Sequence, residues 1–156
     1  VILNAFLDHP QEWDKLHADP GLAGRAVDEG MSFAPLPWVI PHRTTRDMIY
    51  LDIAFAEGDL VCVMVPTTNR DPSATERPDE FIIDRAPARH FAFGADMHSC
   101  PGAHLAKMEM SLALLGLLEA YADIQQAAPP EWELGQEGRT LRRLDITIRE
   151  MKPLHG

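Results

Sequence analysis

The chain has 156 residues, 46% hydrophobic, 24% charged and 7% aromatic, a mixture that suits one globular domain with a buried core and excludes disorder. A formal net charge of −10 argues against nucleic acid as the natural partner, because phosphate binding needs a basic face. No run reaches the ~18 apolar residues of a membrane span, the opening VILNAFLDHP lacks a basic signal-peptide head, and two cysteines are too few for a disulfide scaffold, so a reducing, cytoplasmic setting without a membrane partner is expected.

Residues 1–7 read as the last two turns of a helix, stopped at His9-Pro10. Pro10 then suits the first turn of a short helix over 11–17. Asp19-Pro20-Gly21 is a predicted loop, and 22–33 a further helix, weakened by Gly30 in its interior. Residues 34–41 carry three prolines and are extended. Ile49, Leu51 and Ile53 alternate within 48–54 and predict a strand, Ala56-Glu57-Gly58-Asp59 a turn, and 60–65 a second strand, so these two form a hairpin. Cys62, between Val61 and Val63, reads as core packing. Residues 66–92 are dense in Pro, Asp, Arg and Asn, an ordered meander of a length that is usually functional. The clearest helix is 102–123, with Leu105, Met108, Leu112, Leu115 and Ala122 at the spacing of one buried face. Leu144, Ile146 and Ile148 alternate with polar residues and suggest a final strand. The predicted class is mainly α with a small β-sheet (α+β), with residues 1–156 as one domain.

The informative stretch is FAFGADMHSCPGAHLAKME, residues 91–109. Cys100 stands directly before Pro101-Gly102 and the strong helix, where unpaired backbone N–H groups and the positive end of the helix dipole favour a thiolate. Gly94 and Gly102 let the backbone approach something bulky and flat. Phe93 can pack beside whatever the sulfur binds, and His98 can reach an anionic group at the rim. A soft anionic ligand, close-approach glycines and an apolar ring are what a thiolate-ligated haem iron requires. His98, Cys100 and His104 also read as a loose zinc set lacking the second cysteine pair, with His90 nearby as a hydrogen-bonded loop residue.

This segment resembles the haem-binding loop and following helix of the cytochromes P450. The family's loop places Phe, Gly, Arg or His, Cys and Gly in fixed order, and Phe93, His98, Cys100 and Gly102 match it. Leu105-Ala106-Lys107-Met108-Glu109 resembles the family's Leu-Ala-Arg-x-Glu helix. Asn69-Arg70-Asp71-Pro72, Pro78-Asp79-Glu80-Phe81 and Arg85 resemble its meander. The resemblance implies a partial P450-like fold, with residues 66–101 as meander and cysteine loop and 102–123 as the helix that follows. It implies haem b bound through Cys100, contacts to the cofactor from Phe93, His98 and Gly102, a propionate contact at the His42-Arg43 step, which the register counted back from Gly58 gives to His42 rather than Arg43, and a structural ion pair of Glu29 with Arg85.

Two positions depart from the family pattern. Its Glu-x-x-Arg helix motif stands here as Glu29-Gly30-Met31-Ser32, and the glycine expected four residues before Cys100 is Asp96. The resemblance further implies a haem-thiolate monooxygenase supplied with electrons by a ferredoxin or flavoprotein reductase. Residues 1–10 resemble the tail of the family's central helix, so a truncated, C-terminal haem-binding portion is expected, inactive by itself. The alternatives are a non-catalytic haem-binding or split-protein half completed by another chain, and a degenerate remnant without haem. An exposed apolar surface would favour a complementary half or self-association.

Overall fold

The computed structural model describes residues 1–135 and 138–150, so the reading of 1–156 as one domain extends beyond the described residues. Helix α1 (Ile2–Asp8) ends at His9, whose ring nitrogen Nδ1 donates to the Ala5 carbonyl at 2.8 Å. Pro10 opens α2 (Pro10–Ala18) at a position where its missing N–H costs nothing. The predicted loop at 19–21 is instead a single 3-10 turn, Pro20–Leu22, that Asp19 caps by accepting the Gly21 N–H at 3.0 Å. Helix α3 (Ala23–Phe33) follows, with Ala23, Ala26, Val27 and Gly30 as its buried face. Gly30 permits the close crossing of α1, since a Cβ there would lie 2.8 Å from Ile2 Cγ1.

The strand pairing differs from the expected hairpin. Strand β1 (Val39–Arg43) pairs antiparallel with β4 (Leu60–Met64), and β2 (Met48–Tyr50) pairs with β3 (Ile53–Phe55). The predicted strand over 48–54 is therefore bent back on itself at Leu51-Asp52, both in the left-handed region at φ 48° and 63°. Two such residues are what a tight hairpin turn needs, and neither is the Asn or Gly that usually announces one. The proline-rich stretch supplies the partner of β4 instead. Alternation along β4 turns Val61 and Val63 inward and leaves Cys62 exposed, which corrects its reading as core.

Within the meander, α4 (Val65–Asn69) begins where β4 stops. Helix α5 (Ala103–Ala120) ends three residues before the expected boundary, and 121–123 belong to β5 (Tyr121–Gln126), which pairs with β8 (Ile146–Glu150). Strands β6 (Glu131–Gly135) and β7 (Gly138–Arg143) form a hairpin that alternation did not signal. Their charged residues pair across the strands, Arg142 with Glu133 and Arg143 with Glu131 at 3.8 Å, so polar side chains stand where a buried face would show apolar ones.

The core gathers Phe6, Trp13, Leu16, Val27, Phe81, Ile83, Leu114 and Leu118. Phe6 meets Trp13 and Phe81 edge-on, with ring centroids 5.2 and 5.1 Å apart. Helix α5 is apolar on every side, so spacing did not fix its orientation. Leu114 and Leu118 face the core, whereas Leu105, Met108 and Leu112, expected to be buried, are 56%, 55% and 61% exposed. Two buried carboxylates pin the meander to the helices: Glu29 accepts the Ile82 N–H at 2.9 Å and Glu12 the Ile83 N–H at 3.0 Å. Helices and four two-stranded sheets among the described residues make this an α+β fold, as the sequence implies.

Candidate cofactor site

The loop from 91 to 102 folds back on itself through its own backbone. The Cys100 N–H donates to the Phe93 carbonyl at 2.8 Å, the Gly94 N–H to Phe91 at 2.9 Å, and the His98 N–H to Ala95 at 3.1 Å. These bonds bring Phe93 beside Cys100 although seven positions separate them. Gly94 lies at φ +73°, and a Cβ there would stand 2.8 Å from the His98 carbonyl, so only glycine suits the position. Asp96 takes φ +52°, the conformation for which glycine is the ordinary residue, and its exposed side chain keeps the carboxylate in solvent. Cys100 is exposed and stands just ahead of α5, whose first-turn N–H groups have no helical acceptor.

A cavity of about 690 Å³ opens between this loop and the β1–β4 pair. Phe93, Gly94, His98 and Cys100 line it from the loop, and Ile40, His42 and Val63 from the strands. His42 and His98 face each other across its rim, ring centroids 5.8 Å apart. Arg43, the next residue along β1, points away: its guanidinium donates to the Gly58 carbonyl at 2.8 Å and does not line the cavity. Alternation of the strand thus selects His42 over Arg43. Gly102 is also outside the lining; a Cβ there would meet only Cys100 Sγ, at 3.8 Å.

Lys107 of α5 pairs with Asp28 of α3 at 2.6 Å and lies 5.6 Å from the Phe93 ring centroid, a cation–π contact. His90 packs 6.1 Å from the same ring, and its Nδ1 accepts the Ala92 N–H at 3.3 Å. Burial lowers the His90 pKa below the usual imidazole value, against a smaller opposing pull from Asp28, so the ring is held neutral as a loop acceptor. Among the described residues no three His, Cys, Asp or Glu side chains converge as a metal set, so His98, Cys100 and His104 do not form the zinc arrangement.

Glu29 and Arg85 meet at 3.1 Å with side chains only 10% and 12% exposed. Arg85 also donates to the carbonyls of Glu80 at 2.7 Å and Arg77 at 3.0 Å, and to that of Glu76. Arg25, one turn ahead of Glu29, does not join this pair; it donates to the carbonyls of Asp84 and Arg85 and ties α3 to the same segment. Asn69, 4% exposed, completes the frame by accepting the Phe91 N–H at 2.9 Å and donating to the Ser32 carbonyl at 3.1 Å. Sequence reasoning missed Glu12 and Asn69 as anchors, because a carboxylate or amide that caps distant backbone leaves no local pattern.

A family model described as Cytochrome P450 matches residues 25–136. The chain belongs to the cytochrome P450 family. It is 31% identical over 148 residues to the polyketide biosynthesis cytochrome P450 PksS of Bacillus subtilis, covering 92% of this chain and 36% of that protein. It is 34% identical over 143 residues to the beta-dihydromenaquinone-9 omega-hydroxylase of Mycobacterium tuberculosis, covering 90% of this chain and 29% of that one. P450BioI, solved in complex with an acyl carrier protein ligated with hexadec-9Z-enoic acid, superposes with a TM-score of 0.91 at 28% identity, over 95% of this chain and 39% of that chain. This P450 chain spans about a third of the length of the curated relatives it matches. No helix among the described residues is long and apolar enough to cross a membrane.

The family implies a haem held by a cysteine thiolate, and the residues of this P450 chain fit one. The cavity volume is in the range of about 300–1,000 Å³ typical of small-molecule and cofactor sites. Its lining offers one thiol and two imidazoles as donors, includes Gly94, which admits close approach, and is mostly apolar.

Proposed function

We propose that this chain is the haem-binding portion of a P450 monooxygenase, with haem b held through Cys100. The observation that carries the reading is the convergence of Cys100, Phe93, Gly94, His98 and His42 on one cavity, from a loop and a strand about 50 residues apart in the chain. Cys100 would hold the haem iron through its thiolate, presented ahead of the N-terminus of α5, where the helix dipole supports an anionic sulfur. His98 and His42 would hold the haem propionates through hydrogen bonds from their ring N–H groups. Phe93 covers the sulfur side and is held there by Lys107 and His90. When bound, the haem iron with its thiolate ligand supplies oxygen chemistry, the electron-rich sulfur favouring O–O cleavage. A ferredoxin or flavoprotein is the electron donor in this reading.

The apolar stripe of Leu105, Met108 and Leu112 on α5 supports contact with further polypeptide, whether the remaining length of a family member or a second copy. Haem titration tests the proposal. Wild-type chain is expected to bind one equivalent with a Soret band that Cys100→Ser shifts and that His42→Ala with His98→Ala weakens. Equal binding by all variants would contradict it.

A further inference from the structure

The β2–β3 hairpin carries its apolar residues in solvent: Ile49 is 76% exposed, Tyr50 61%, Leu51 78% and Ile53 58%. A contiguous set of exposed apolar side chains marks an interaction surface. The sheet has two strands only, so among the described residues the outer edge of β2 is unpaired. A lysine, a proline or a bulge usually blunts such an edge, and Met48–Tyr50 has none of them.

The two-residue turn at Leu51-Asp52 decides which backbone groups that edge presents. Tyr50 and Ile53 flank the turn and form its hydrogen-bonded pair, so Ile49 and Ala54 are the next pair, which is not hydrogen-bonded. The Ile49 N–H and C=O therefore point away from β3. An antiparallel strand centred opposite Ile49 takes both.

A second copy of β2 meets that requirement in one register. Pairing two copies about Ile49 sets Met48 opposite Tyr50 and Arg46 opposite Asp52, and the two-fold axis repeats each contact. Arg46 and Asp52 are exposed, and neither has an ion-pair partner among the described residues. Asp47 falls opposite Leu51, its carboxylate already accepting the Glu57 N–H at 2.8 Å. Met48 pairs with Phe55 and Tyr50 with Ile53 in the hairpin, so on one face Phe55, Met48 and the second copy's Tyr50 and Ile53 follow in an apolar row. On the other face Ile49 meets its own copy. A slip by one residue sets Arg46 opposite Leu51 or Ile53 and loses the charge match. The edge of β3 offers nothing comparable, since pairing about Ala54 sets Asp52 opposite Ala56.

We infer that β2 is a self-association edge: two copies of this chain join antiparallel about Ile49 into a four-stranded β3–β2–β2–β3 sheet, closed at each end by Arg46 and Asp52. The hairpin contributes no residue to the cavity over Cys100, so the inference is independent of haem binding.

Sedimentation velocity of the full chain tests it, at ~0.15 M salt, where the repulsion between two copies of charge −10 is screened beyond ~8 Å. A dimer with a dissociation constant of about 1–100 μM is expected, weakened about tenfold or more by Ile49→Lys. Arg46→Asp makes both ends of the strand acidic and Asp52→Lys makes both basic, so each variant repels its own copy and is expected to sediment as a monomer. Mixed in equal amounts, the two set acidic ends against basic ends and are expected to regain the dimer. The three positions are exposed, and circular dichroism checks that each variant keeps the fold. Wild type that stays monomeric up to about 1 mM, a dimer that survives Ile49→Lys, or a mixture no more associated than its parts would overturn the proposal. A dimer that survives Ile49→Lys and is lost on Leu112→Lys would assign the contact to α5 instead.

Discussion

Replacing Glu29 by alanine removes two things at once: the carboxylate opposite the Arg85 guanidinium at 3.1 Å and the acceptor for the Ile82 N–H at 2.9 Å. Both side chains are almost fully covered, so solvent screening gives little relief. Arg85 keeps its bonds to the carbonyls of Glu76, Arg77 and Glu80, so the cation is not left bare. The loss is then one charged hydrogen-bonded pair, ~1.5–3 kcal/mol, plus one orphaned buried N–H, ~1–3 kcal/mol. Together they come to about 2.5–6 kcal/mol, centred on the ~3–5 kcal/mol seen when one member of a buried ion pair is deleted. At about 2–4 °C per kcal/mol for a chain of this size, a loss of ~3–5 kcal/mol on Glu29→Ala is expected to lower the thermal midpoint by about 6–20 °C. Glu29→Gln keeps an acceptor for Ile82 and loses only the charge, so roughly half that drop is expected. Differential scanning calorimetry of the two variants decides the matter. A Glu29→Ala chain within about 1 kcal/mol of wild type would show that the pair does not anchor the meander.

Four further outcomes are expected. In α5, Leu118→Ala should cost about 2–5 kcal/mol, whereas Leu112→Ala, at a position 61% exposed, should stay within about 0.5 kcal/mol; equal costs in urea denaturation would mean the helix is rotated from its observed orientation. Asp96→Gly relieves a left-handed φ of +52° and should raise stability by about 1 kcal/mol, while Gly94→Ala, at φ +73° and with a 2.8 Å approach to the His98 carbonyl, should lower it by about 1–3 kcal/mol; the reverse order of midpoints would contradict the loop geometry. Gly116→Ala in α5, where a Cβ meets nothing within 4 Å, should stabilise by about 0.5–1 kcal/mol, read from the same melts. Burial lowers the folded pKa of His90, so the unfolded chain binds its proton more readily. The His90 contribution is then intact above the unfolded value near 6.5 and lost as pH falls towards the lowered folded value, and His90→Gln should flatten the midpoint's decline over that interval; parallel curves for wild type and variant would remove His90 from the acid response.

The helices were legible where punctuation is chemical. Pro10 and Asp19 mark helix boundaries that the sequence states within a residue or so, although the 3-10 turn after Asp19 reads in sequence as a loop. The cysteine loop was legible for a similar reason, since its glycines, its cysteine and the helix that follows are contiguous in the chain. Strand pairing was not, because Val39–Arg43 carries a proline and the turn at Leu51-Asp52 uses residues that rarely adopt positive φ. Nor could spacing orient α5, whose apolar residues surround the whole helix. At the site, the register counted back from Gly58 favours His42 over Arg43, and in the β1–β4 pair His42 lines the cavity while Arg43 bonds the Gly58 carbonyl. Arg25 and Asn69 act on carbonyls and amides distant in the chain, a kind of contact for which residue order holds no signature.

The central claim, that Cys100 is the haem ligand, is tested most directly by the carbon monoxide complex of the reduced, haem-loaded chain, recorded for wild type and Cys100→Ser. A thiolate ligand gives a strongly red-shifted Soret band in wild type that the serine variant loses. A histidine-type spectrum, identical in both proteins, would contradict the account and move the iron to His98 or His104.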